Sequence, residues 1–301
     1  MGGIEAQAGR PGVSDLSHQH PGPTAPRMLL GARLRSLREE CGISREAAGE
    51  VIRASHSKIS RLELGRTGFK ARDLADLLDL YGVTDDAERA MLKELAKQAN
   101  TSGWWHVYKD VIPPWFVDYL GLEQAASVIR GYEVQFIPGL LQTPEYAWAV
   151  IALGHAYAPA EQIERRVELR MRRQRILEGP RPRRLWTVID ETALRRPIGG
   201  VATMRAQIRH LIDACRLRNV TIQVLPFRVG GHAAAGGPIS LLRLPQHELP
   251  DVVYLEQLTT AVYPDGPVEI DRYHHVMDRL VTEAEPATET PAILERILAG
   301  L

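Results

Sequence analysis

The chain has 301 residues, 37 Lys+Arg against 37 Asp+Glu, 45% hydrophobic and 25% charged residues. That length suits two domains of about 100–200 residues each, and the balanced charge excludes a uniformly basic nucleic-acid binder. Any DNA-binding face has to come from local placement of charge. The two cysteines, Cys41 and Cys215, stand far apart with no CxxC or histidine pairing, which argues against a disulfide framework and a zinc site and fits a reducing cytoplasm. No metal or cofactor is expected. No apolar run approaches the ~20 residues of a membrane-spanning helix, and the first residues lack the apolar core of a signal peptide.

Residues 1–26 are rich in Gly, Pro, Ser and His and carry too little apolar surface to offset ordering, so a disordered leader is expected. From residue 28 the pattern turns helical, and a compact all-α domain of five helices is expected over 28–99. Leu30, Leu34 and Leu37 recur at helical spacing with a stop at Gly42. Ser44 and Ser55 are placed to cap a second and a third helix, and Gly65 to close the third. Helices over 72–80 and 85–99 complete the unit. Residues 100–121 hold Trp104, Trp105, Trp115 and the pair Pro113–Pro114, which suits a packed connector. Residues 122–301 alternate apolar strands with helices, giving an α+β domain: strands over 127–136, 185–189, 220–227, 239–244 and 252–256, helices over 143–153, 160–177, 204–217, 269–280 and 292–298.

The stretch from Ser44 to Arg66 is the most informative. Two short helices, each opened by a serine, are separated by a tight turn at Arg53–Ala54, with Ala48 and Gly49 small enough for close approach. Ile52, Ile59 and Leu62 are expected in the shared core. The second helix then presents His56, Ser57, Lys58, Ser60 and Arg61, short or cationic hydrogen-bonding groups suited to base edges and phosphates in a major groove.

This segment, ending in "SKISRLExGR", resembles the helix-turn-helix of the XRE, phage-repressor-like family, with Arg53 in place of the usual turn glycine. That substitution requires a left-handed residue or a shifted turn. The phrases "FIPGLLQTPEYAWAV" (136–150), "LWTVIDETALRRPIGG" (185–200), "NVTIQVLPFRVGGHAAAGGPISLLRLP" (219–245) and "DVVYLEQL" (251–258) resemble a C-terminal domain of unknown function that follows this motif in actinobacterial regulators of the WhiJ type. The resemblance implies transcriptional control, often beside a small partner protein encoded nearby. Residues implied to bind double-stranded DNA are Arg45, Ser55, His56, Ser57, Lys58, Ser60, Arg61 and Arg66. His56, Ser57 and Lys58 would read bases, while Arg45 and Arg66 would hold phosphate. Glu63 is expected to be structural, pairing Arg33 or Arg38. A homodimer is expected, because one recognition helix reads few base pairs.

In the C-terminal domain, Glu191 and Glu256 at strand ends and His232 in the glycine-rich loop 230–237 are candidate ligand-binding residues. The competing structural reading has such groups capping helices and satisfying backbone. The arginines over 165–184 are interleaved with glutamates, which suggests a solvated helix face in preference to a second DNA site. The expected function is a cytoplasmic, non-enzymatic DNA-binding regulator. The alternatives are an antitoxin-like protein that neutralises a small partner, and an enzyme built on Glu191, His232 and Glu256 with a DNA-binding appendage.

Overall fold

The computed structural model describes residues 23–245 and 249–301. The leader therefore lies, over residues 1–22, outside the described residues. Its expected boundary at residue 26 is corrected, because helix α1 spans Thr24–Glu40 and buries Thr24, Ala25 and Pro26. Proline is tolerated in the first turn of a helix, where its missing N–H would have no partner. Pro26 thus reads as loop in the sequence and sits in a helix in the fold.

The N-terminal unit continues with α2 (Arg45–Val51), α3 (His56–Glu63), α4 (Ala71–Leu80) and α5 (Asp86–Ala99). Leu30, Leu34, Ala48, Ile59, Leu62, Leu74, Leu77, Leu78 and Leu92, each at most 2% exposed, bring all five helices to one core. Burying a leucine-sized side chain contributes ~1.5–3 kcal/mol. That contribution is what holds α2 and α3, of 7 and 8 residues, since helices so short do not persist alone in water.

The connector is corrected in extent. A 3-10 turn at Trp104–Tyr108 leads into α6 (Pro114–Ala125), which runs past the expected boundary at residue 121. This helix is buried continuously from Tyr119 to Ala125, so it shows no polar face from which a sequence could reveal it. It crosses α1 so closely that a Cβ on Gly121 would collide with the Thr24 hydroxyl.

The C-terminal unit is built on six strands: β1 (Val128–Glu133), β2 (Arg184–Asp190), β3 (Val220–Leu225), β4 (Ile239–Arg243), β5 (Val252–Glu256) and β6 (Ala261–Val262). Their order is β3-β2-β1-β4-β5-β6. β1, β2 and β3 run parallel, while β4, β5 and β6 join antiparallel. Helices α7 (Pro144–Gly154), α8 (Ala160–Gln174), α9 (Glu191–Arg195) and α10 (Val201–Ala214) fill the crossovers that parallel strands require. α11 (Pro267–Glu283) and α12 (Thr290–Gly300) close the chain. Met204, Ile208 and Leu294 pack on one sheet face, and Met277 and Leu280 of α11 on the other. The expected α+β domain is therefore present.

The arginines of α8 do not form a solvated face. Arg173 is buried and donates two bonds of 2.8 Å to the Glu123 carboxylate. Arg172 lies 4.8 Å from the Trp104 ring, and Arg165 pairs with Asp110 at 2.8 Å. Aromatic faces and carboxylates of the connector attract these guanidiniums, so Arg165, Arg172 and Arg173 form an internal clamp, while Arg175, Arg181 and Arg184 beyond α8 are exposed.

Candidate nucleic-acid interface

The helix-turn-helix is assembled by local rules that the sequence shows openly. The Ser44 hydroxyl accepts from the Ala47 N–H at 3.1 Å, and Ser55 accepts from Lys58 N–H at 3.4 Å. Each serine satisfies a donor that a helix start leaves unpaired. α2 ends with Arg53 at φ 53, the one left-handed non-glycine among the described residues. Arg53 N–H bonds Glu50 C=O and Ala54 N–H bonds Gly49 C=O, the paired closure of a helix end. A Cβ on Gly49 would stand 2.6 Å from the Ala54 oxygen, so only glycine permits this turn. α3 closes in the same way at Gly65, φ 67.

Glu63 fixes how the three helices sit. Its buried carboxylate accepts from Arg38 of α1 at 2.5 and 3.1 Å and from Arg45 of α2 at 3.1 Å. Of the two partners expected for it, Arg38 is the one found. Arg33 pairs instead with Glu88 of α5.

With the core side of α3 occupied by Ile59, Leu62 and Glu63, the opposite side carries His56, Ser57 and Arg61, all exposed, with Ser60 half-buried. Arg61 and Ser60 make no side-chain bond among the described residues, and the His56 and Ser57 side chains meet only each other, at 3.4 Å. Ser55 is exposed at the helix start, engaged as its cap. Three expected contacts are placed less freely. Lys58 is held at 2.5 Å by Asp73 of α4, and the Nε of Arg45 is engaged by Glu63. Arg66 lies over the Tyr263 ring of the C-terminal unit, 5.9 Å from its centroid.

The three candidate ligand residues are not gathered in one site. Glu191 accepts from Arg195 at 2.7 Å and from the Phe227 N–H at 2.9 Å, a structural role. His232 meets the Tyr132 hydroxyl at 3.1 Å and stands 4.0 Å from Asp190. Glu256 lies on the other face of the sheet, where its charge acts on Glu133. Tyr132 and Glu133 are consecutive in β1, and consecutive strand residues point to opposite faces.

Sequence reading missed Glu133, Arg170, Arg173, Glu123 and Tyr254, which surround Glu256. Burial, and next the charge of Glu256, push the Glu133 carboxyl up to about 8. The Tyr254 hydroxyl is buried beside Glu256. Their spacing in sequence, from 123 to 256, gives no local signal, since they come from α6, β1, α8 and β5 and only the tertiary packing of those elements joins them. No group of three metal-ligating side chains occurs among the described residues, and none of their helices is long and apolar enough to cross a membrane.

A helix-turn-helix domain model matches residues 29–92, which makes the N-terminal unit that of a DNA-binding regulator. A second model, a domain of unknown function (DUF5753), matches residues 116–296. No curated protein and no solved structure matches the chain. The second match covers most of the chain and spans every strand of the sheet, and on it the chain belongs to the DUF5753 family.

Proposed function

We propose that this chain is a sequence-specific transcriptional regulator of the XRE and WhiJ-like kind, acting in the cytoplasm of an actinobacterium. It works as a homodimer that sets one copy of α3 in each of two major-groove half-sites. The observation that carries the reading is the outward side of α3, where His56, Ser57, Ser60 and Arg61 make no side-chain bond to any other element among the described residues, while everything behind them is capped and packed. Short donors and a cation in that position suit base edges. A dimer supplies two such helices about 34 Å apart, one turn of duplex. The C-terminal unit provides the dimer contact and a surface for an effector or a small partner protein. The scatter of Glu191, His232 and Glu256 favours a binding domain over a reaction centre.

Mapping genomic occupancy and then titrating the protein on the occupied duplex and a scrambled one tests the reading. His56→Ala and Arg61→Ala should each reduce the preference for the occupied site by ~1–3 kcal/mol. Equal affinity of the unaltered protein for both duplexes would refute sequence-specific binding.

A further inference from the structure

The seam between the two units holds a cavity of about 160 Å³. Its walls come from Met28 of α1, Arg66 just beyond α3, Asp118 and Leu122 of α6, Val252 of β5, and Tyr263. Drug-sized ligands occupy sites of about 300–1,000 Å³, so this one suits a smaller molecule.

Two charges in the cavity are unspent. The Arg66 guanidinium rests on the Tyr263 ring and makes no hydrogen bond or ion pair among the described residues. Asp118 is half-buried and equally without a partner. Burial pushes its carboxyl up, while the charges of Arg27 and Arg66 act against that. Cation and anion therefore sense each other across the gap without closing on each other. Elsewhere at the wall, Arg27 keeps its positive charge while donating to the Ala99 oxygen at 2.8 Å, Arg35 pairs with Glu39 at 2.9 Å, and Asp251 pairs with Arg243 at 2.8 Å. Asp265 is exposed at the rim. Between the two open charges the surface is apolar, from Met28, Leu122, Val252 and the Tyr263 ring.

One anion and one cation held apart over an apolar floor match a small zwitterion. We propose that the seam binds a free α-amino acid with an apolar side chain. The ammonium pairs with Asp118, the carboxylate with Arg66, and the side chain lies against Met28, Leu122 and Tyr263. A simple amine would forgo the pairing with Arg66, which is exposed at the cavity mouth, and a simple carboxylate would leave the half-buried Asp118 unpaired, so each should bind less tightly than the zwitterion. The proposal supplies an effector for the regulator reading and rests on that reading for its purpose, since the occupant touches both the DNA-binding unit and the C-terminal unit.

Calorimetric titration of the full-length protein with L-valine, L-leucine, L-isoleucine, L-methionine and L-phenylalanine, without DNA, tests it. At least one should bind, at least about tenfold more tightly than the corresponding amine lacking the carboxylate and the corresponding acid lacking the ammonium. Asp118→Asn should weaken that binding about ten- to a hundredfold, the range of a charged hydrogen bond, with circular dichroism confirming that the variant is folded. Arg66→Gln should do the same. The proposal is overturned if none of the five binds at millimolar concentration. It is equally overturned if the amine or the acid binds as well as its amino acid, or if both variants retain full affinity. DNA affinity of the unaltered protein is measured separately, with and without the amino acid. Failure to bind DNA in both conditions would count against the regulator reading and leave the titration result standing, whereas weaker DNA binding by Arg66→Gln is what a phosphate contact there predicts.

Discussion

Glu63→Gln offers the sharpest test of how the helix-turn-helix is held. The side chains of Arg38 and Glu63 are 8% and 3% exposed, and the carboxylate receives Arg38 and Arg45 together. The amide has one acceptor oxygen for three donors and turns an N–H₂ toward a buried guanidinium. Removing one partner of a buried ion pair costs ~3–5 kcal/mol, because the other charge is left uncompensated. At 1.36 kcal/mol per decade, amides of α1, α2 and α3 that exchange through opening of this unit should exchange at least about a hundredfold faster. Hydrogen-exchange mass spectrometry on the full chain reads this directly, with α12 peptides as an internal control. Replacing both residues, Arg38→Met with Glu63→Leu, should recover most of the loss, since a packed apolar pair is often as stable as a buried ionic one. Exchange within a few-fold of the unaltered protein for Glu63→Gln, or a double variant no better than the single, would refute the reasoning.

Arg53→Gly should slow exchange in the same peptides, with a gain of up to about 1 kcal/mol, by relieving a left-handed arginine. An unchanged or faster rate would mean that the arginine side chain supports the turn. Gly121→Ala should cost ~1–3 kcal/mol, because the new methyl is driven into Thr24 where α6 crosses α1; a melting temperature equal to that of the unaltered protein would show slack at that crossing. The Glu133 carboxyl is held at about 8, above the ~4.3 of an unfolded chain. Folding thus favours its neutral form, and the stability linked to it is complete below pH of about 4 and is lost as pH rises through about 8. Glu133→Gln should therefore melt higher than the unaltered protein at pH of about 9, and that advantage should shrink to nothing at pH of about 4; a constant difference across the range would show that Glu133 titrates alike in the folded and the unfolded chain.

The parts of the fold that were legible from the sequence are those specified within a few residues. Ser44, Ser55, Gly42 and Gly65 mark helix ends by chemistry that acts over three or four positions, and all four sit where the structure uses them. β5 is found at Val252–Glu256, as its run of apolar residues indicates. α6 was illegible because its second half, from Tyr119 to Ala125, is buried all round and has no period to detect. Arg173 looked like part of a solvated charge run because its partner, Glu123, is 50 positions away. The same holds at the binding face. The exposure of His56 and Arg61 follows from the helix register, whereas the capture of Lys58 by Asp73 and of Arg66 by Tyr263 depends on tertiary neighbours that no local pattern announces.

The course of α1 bears on how such a protein can be taken apart and recombined. Its first turn sets Ala25 beside Ala125, Leu244 and Leu249, while Leu30, Leu34 and Leu37 belong to the core of the helix-turn-helix. A single rod of 17 residues, about 25 Å long at 1.5 Å per residue, is therefore owned by both halves. A graft of this helix-turn-helix onto a foreign sensor, cut at residue 28 or at residue 100, would carry away a helix whose leading turn has lost its seat and leave an apolar scar on the donor. Chimeras that function should be those in which α1 travels together with the α6 surface it crosses, so the natural unit of exchange is the pair of helices at the joint, and the linker between domains is the wrong place to cut.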